Sequence, residues 1–135
     1  NYIDRFDRIG SIIGIGPIMV IEKEDKKNKG VRAEGQLLID SIPSGSIICT
    51  LDENGLELDS HGFAKKISFW RDNGNQAVTL IIGGASGLSK GVKEKADLSI
   101  SLGKMVWPHR LVRVMLAEQL YRAASIISGS PYHKA

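Results

Sequence analysis

A single α/β domain over residues 1–135, with a mainly parallel sheet and helices on both faces, is predicted by three features of the sequence. Short β-prone apolar runs alternate with helix-patterned segments, the pattern of strands joined by crossover helices. Two of the runs are nearly continuous in apolar residues, as in strands buried on both faces. Three of them lead into loops that carry glycine or proline.

The first run is "IMVIE" (18–22), followed by the charged stretch "KEDKKNKG" (23–30), which reads as a solvated loop or as an RNA contact. "VRAEGQLLIDSI" (31–42) has moderate helical character, and "SIICTL" (46–51) is the second strand. Gly55 in "DENG" suits a turn. In "SHGFAKKISFWRDNG" (60–74) Ser60 is the candidate N-cap, and Phe63, Ile67 and Trp70 recur at helical spacing. The strand "AVTLII" (77–82), the short charged helix "SKGVKEKAD" (89–97) and the strand "LSISL" (98–102) follow. The last helix is predicted from Pro108 to Ser128, with Pro108 in the first turn, where its missing N–H costs nothing. Leu111, Val112, Val114, Met115, Leu116, Leu120, Ala124 and Ile127 spread over most of its circumference, wider than a one-sided surface helix needs. This helix is expected to pack on its own sheet and also on a second copy of the chain.

With 42% hydrophobic and 24% charged residues, the 135-residue chain has the composition of a globular domain, and no apolar run reaches the roughly 18–20 residues of a membrane helix. "NYIDRFDRIG" lacks the basic and apolar regions of a signal peptide, and Asn1 is an unusual first residue, so a missing amino end is expected. The one cysteine, Cys49, lies in an apolar run and cannot form an internal disulfide, which suits a reducing cytoplasm and a structural thiol. The net charge of +3 is uneven: residues 1–87 hold 10 Lys/Arg against 12 Asp/Glu, residues 88–135 hold 8 against 3. The basic third is either a face for a polyanion such as RNA or a solvated surface.

Several familiar chemistries are discounted. His61, His109 and His133 are far apart in sequence, and one cysteine adds no metal-ligand spacing. "GGASG" (83–87) is neither a dinucleotide fingerprint nor a P-loop, and there is no G-x-S-x-G elbow. What remains are the loops "LDENG", "GGASG" and "GKMVWP", each after a predicted strand. In open α/β sheets ligands bind beyond the carboxyl ends of the strands, so these loops outline a crevice; tight turns with a core tryptophan are the alternative. The tail "SGSPYHKA" (128–135) joins an aromatic ring, a titratable group and a cation, which either hold a nucleobase and a phosphate or form an inert chain end.

Taken together, "LIIGGASGLS" (80–89), "SLGKMVWPHRLVRVMLAEQLYRA" (101–123) and "SGSPYHKA" resemble the ribosomal large subunit methyltransferase H family, a branch of the SPOUT superfamily of RNA methyltransferases. The resemblance is strongest over residues 46–135; the strand and glycine-containing loop with which the family usually opens, before the equivalent of "YIDRF", are absent here, so it implies a missing amino-terminal edge strand. It implies a sheet whose carboxy-terminal part is threaded into a trefoil knot, a homodimer with each site near the partner subunit, and S-adenosyl-L-methionine as methyl donor without a metal. The implied reaction is N3 methylation of a pseudouridine in 23S rRNA within the assembled 70S ribosome. Methylation of tRNA, or RNA binding without catalysis, are the alternatives.

By motif position, Leu51, Gly84, Gly103, Lys104, Met105, Val106, Trp107 and Pro108 would hold the donor, and Tyr132, His133 and Arg122 would serve catalysis. A neutral His133 is suited to taking the N3 proton, and Tyr132 to stacking on the base. Arg122 is left between the tail and the substrate, Arg113 between the substrate and an interface ion pair, and His109 between a structural hydrogen bond and a ligand contact. Lys134 stands where the family commonly has arginine, and so keeps charge but loses bidentate geometry.

Overall fold

The computed structural model describes residues 5, 8, 11, 14, 18–22, 39–75, 77–83 and 88–132, the side chains of Glu22 and His109 excepted. The expected loop at 23–30 and most of the helix expected at 31–42 lie outside the described residues; 39–41 are helical. The elements in chain order are β1 (Ile18–Glu22), β2 (Ile47–Glu57), α1 (Ser60–Asp72), β3 (Val78–Ile82), α2 (Lys90–Lys95), β4 (Leu98–Ser101) and α3 (His109–Ser128). The four strands form one sheet in the order β1-β3-β2-β4, and every neighbouring pair is parallel.

β3 lies inside the sheet, and all five of its residues are buried. Its alternation divides the core in two. Val78, Leu80 and Ile82 join Cys49 and Ile100 on the face covered by α1 and α3, through Phe63, Ala64, Ile67, Trp70, Leu116, Leu120, Ala123 and Ala124. Ile81 points the other way, to Leu88 and Val92 with Ile39, Ile42 and Ile48 packed against them. Helices therefore cover both faces. Two buried threonines are satisfied by neighbouring hydroxyls: Thr79 Oγ1 lies 2.8 Å from Ser46 Oγ, and Thr50 Oγ1 donates to Ser99 Oγ at 3.0 Å.

The cap of α1 differs from expectation by one residue. Asp59, in extended conformation, accepts from the Gly62 N–H at 2.7 Å, and Ser60 is already helical. Pro108 likewise precedes its helix rather than sitting in the first turn. Its ψ is 142°, and its carbonyl accepts the Val112 N–H at 3.0 Å.

The larger difference is β2. The strand continues to Glu57 through an irregularity in which both Leu51 and Leu56 lie opposite Ile100 of β4. Residues 52–55 therefore form a bulge within a strand and not a turn after one. Asp52 shapes it by accepting the Asn54 N–H at 3.0 Å and pairing with Lys93 at 3.3 Å. Gly55 is required by close approach: a Cβ there would lie 2.7–2.8 Å from backbone atoms of Ser99 and Ile100.

Cys49 is fully buried, and burial, with a smaller contribution from the charge of Asp97, pushes its thiol from 9.0 up to about 12. At pH 8 iodoacetamide is expected to leave the folded protein unlabelled and to label it after denaturation, read by intact mass; rapid native labelling would contradict this burial. The unfolded chain forms thiolate at a lower pH than the folded one, so this group's contribution to stability falls as pH climbs from 9.0 towards 12.

Candidate active site

A parallel sheet places the carboxyl ends of its strands along one edge, and the register fixes what meets there. Leu51 of β2 lies opposite Ile82, the last residue of β3, and opposite Ile100, next to last in β4. Half-buried Leu51, Gly83 and the segment that follows β4 therefore share that edge. That segment is pinned where it leaves the sheet: Ser101 Oγ accepts the Gly103 N–H at 3.1 Å and donates to the Gly103 carbonyl at 3.0 Å. Gly103 has φ 109°, a conformation that side chains rarely adopt.

Beyond it the chain presents Lys104, Met105, Val106, Trp107 and Pro108 to the surface. Met105 is 73% exposed, Val106 88% and Trp107 37%, a contiguous apolar wall that packs into no core. The core tryptophan is Trp70, so the reading of Trp107 as a core residue does not hold. Gly84 and the rest of "GGASG" lie outside the described residues.

A second group forms on α3. Gly129, with φ 76°, ends the helix in a left-handed turn; its N–H bonds the Ile126 carbonyl at 3.3 Å and the Ser130 N–H bonds Ser125 at 2.9 Å. The chain doubles back and lays Tyr132 against the helix. The Tyr132 ring meets Tyr121 edge-on with centroids 4.5 Å apart, and the Arg122 guanidinium lies 5.0 Å from its centroid. The Tyr132 hydroxyl donates to Glu118 Oε1 at 3.1 Å, and Arg122 Nε donates to the same oxygen at 3.0 Å. Of the two roles left open for Arg122, the tail contact is present. Glu118 is the residue that sequence reasoning missed; the signal available was that it is the only acidic side chain after Asp97, in a stretch rich in Lys and Arg.

The two groups occupy different stretches of α3. Ten residues separate Pro108 from Glu118, about 15 Å along the axis at the helical rise. Tyr132, bonded to Glu118, is thus anchored well along α3 from the end of the wall at Pro108. Leu111 and Val114, in the first half of α3, are 42% and 55% exposed, and Arg113 between them is exposed as well. The helix is thus only partly covered by its own sheet. The side chain of His109 and all of His133 and Lys134 lie outside the described residues. Among the described residues no group of His, Cys, Asp and Glu is placed to hold a metal, and no helix is long and apolar enough to cross a membrane.

The chain belongs to the SPOUT methyltransferases: the family model described as "Predicted SPOUT methyltransferase" matches residues 1–133. Within that class its relatives are proteins named ribosomal RNA large subunit methyltransferase H. The one from Ruegeria pomeroyi is 56% identical over 134 residues, and the one from Roseobacter denitrificans is 52% identical; each match covers 99% of this chain and 86% of the relative. Among solved structures, the SpoU methyltransferase AviRb from Streptomyces viridochromogenes, in complex with AdoMet, superposes with a TM-score of 0.46 at 15% identity, over 96% of this chain and 56% of that one.

Proposed function

We propose that this chain is an S-adenosyl-L-methionine-dependent methyltransferase that modifies N3 of a pseudouridine in 23S rRNA on the assembled ribosome, acting in the cytoplasm as a homodimer. The observation that carries the reading is the exposed segment Gly103–Pro108 at the carboxyl edge of the sheet, in a chain whose relatives are named as rRNA large subunit methyltransferases. The residues present fit an adenosine-bearing donor. Met105, Val106 and Trp107 offer apolar surface to a purine, and an irregular backbone leaves amides and carbonyls to read its edge. Gly103 would leave room close to the main chain, because a Cβ there meets nothing within 4 Å. Leu51 and Gly84 complete the donor set by motif position.

The donor brings a methyl group already activated by its sulfonium, so the protein's work is to position the acceptor and handle the N3 proton. Tyr132 and Arg122 hold the tail to α3. The neutral imidazole of His133, next in the chain, is the proton acceptor in this reading. The separation of the wall and the tail along α3, together with the exposed Leu111 and Val114, supports a site completed by the tail of a second copy. A carboxy-terminal knot is part of the same reading.

The test incubates the purified protein and methyl-labelled donor with 70S ribosomes, isolated 23S rRNA and tRNA. Label is expected in 23S rRNA when 70S ribosomes are offered. Label confined to tRNA would replace the substrate, and donor binding without transfer to any RNA would replace catalysis with RNA binding.

A further inference from the structure

Glu118 stands out by its chemistry and its position. It is the only acidic side chain after Asp97, in a stretch that also holds Lys104, Arg110, Arg113, Arg122 and Lys134. On a surface meant for RNA, an acid repels the ligand unless it has other work. Its carboxylate is fully engaged among the described residues. Oε1 accepts Arg122 Nε at 3.0 Å, Arg122 Nη2 at 2.5 Å and the Tyr132 hydroxyl at 3.1 Å, while Oε2 accepts Gln119 Nε2 at 3.1 Å. Gln119 in turn accepts the Ser60 hydroxyl at 2.8 Å, which ties the cluster to the start of α1.

We propose that Glu118 is a positioning residue for methyl transfer, fixing Arg122 and Tyr132 so that the tail is held in one orientation against α3. This rests on the functional reading above. The geometry distinguishes it from an ordinary surface pair. The i,i+4 spacing places Arg122 beside Glu118, and the left-handed turn at Gly129 returns Tyr132 across 14 residues to the same oxygen. With Nε and Nη2 bonded to Glu118, the Arg122 guanidinium lies over the Tyr132 ring. One carboxylate thereby sets both the hydroxyl and the face of the ring. Both bonds are charge-assisted, stronger than neutral ones and tighter in direction.

The test compares the full-length protein with Glu118→Gln, Tyr132→Phe and the double variant. Glu118→Gln is expected to lower kcat for ribosome methylation about tenfold or more, the effect of losing a charge-assisted bond. Donor affinity and thermal midpoint should stay close to the parent's. In the Tyr132→Phe background the same change should add less than about twofold, because the two residues act as a unit. A full, additive loss in that background overturns the proposal, as does unchanged kcat, or a lowered midpoint with kcat per folded molecule intact. A second readout needs no RNA: release of the carboxy-terminal residues by a carboxypeptidase should be about tenfold faster in Glu118→Gln, since the tail opens locally. If the parent protein methylates no ribosome, the functional reading fails while this measurement still decides whether Glu118 holds the tail. Equal release rates overturn that role.

Discussion

Deleting Tyr132–Ala135 is expected to abolish methyl transfer while leaving donor binding nearly intact. In the proposed mechanism the tail carries the proton acceptor, and loss of a general base costs on the order of a hundredfold or more in turnover. Tyr132 is anchored at Glu118 and Tyr121, about 15 Å along α3 from Pro108, where the proposed donor segment ends. In this reading the tail serves the acceptor base and its proton while Gly103–Pro108 holds the donor, so donor affinity should stay within about twofold. Calorimetry with the donor and single-turnover methylation of ribosomes provide the two numbers. A truncated protein with parental turnover would remove the tail from the mechanism. A large loss of donor affinity would show that the tail reaches the donor segment.

Gly55→Ala is expected to be the most damaging single methyl group in the described sheet. The added carbon would sit 2.7 Å from the Ile100 carbonyl carbon, 2.8 Å from its nitrogen and 2.8 Å from the Ser99 carbonyl carbon. All three are backbone atoms, and no side chain can swing aside, so β4 must separate from β2. Overpacking of this kind costs about 3 kcal/mol, a fall of about 10 °C in Tm for a domain of this size. Thermal and urea denaturation measure it directly, and a midpoint within about 2 °C of the parent would show that the strands can part freely. Because Leu51 and Ile100 flank this contact, donor affinity should fall together with stability.

The positions of the strands were legible because burial imposes a pattern on neighbouring residues. β1 spans the expected residues, β3 and β4 each lose one, and the two-faced burial of β3 follows from its unbroken apolar run. Most of what could not be read depended on residues distant in sequence. "DENG" has the composition of a turn, and only the main chain of Ile100 makes Gly55 part of a strand. Asp59 and Ser60 are both good caps, and the choice between them was settled by which one reaches the Gly62 N–H. Trp107 and Trp70 are equally aromatic, yet topology leaves one on the surface and puts the other in the core. At the site, the motif residues could be named but not grouped. The spacing of Glu118 and Arg122 suggests a solvated helix pair, and its second partner becomes visible only when the chain turns back at Gly129.

The order β1-β3-β2-β4 also bears on how the protein is made. Among the described residues β3 is the strand that pairs with β1, and their register joins Ile18 to Val78, a separation of 78 − 18 = 60 residues. A ribosome adding about 5–20 residues per second needs about 3–12 s to span that gap. For those seconds the apolar β1 waits for its partner β3. This interval, rather than the finished fold, is where a nascent chain of this kind is most open to chaperones and to aggregation.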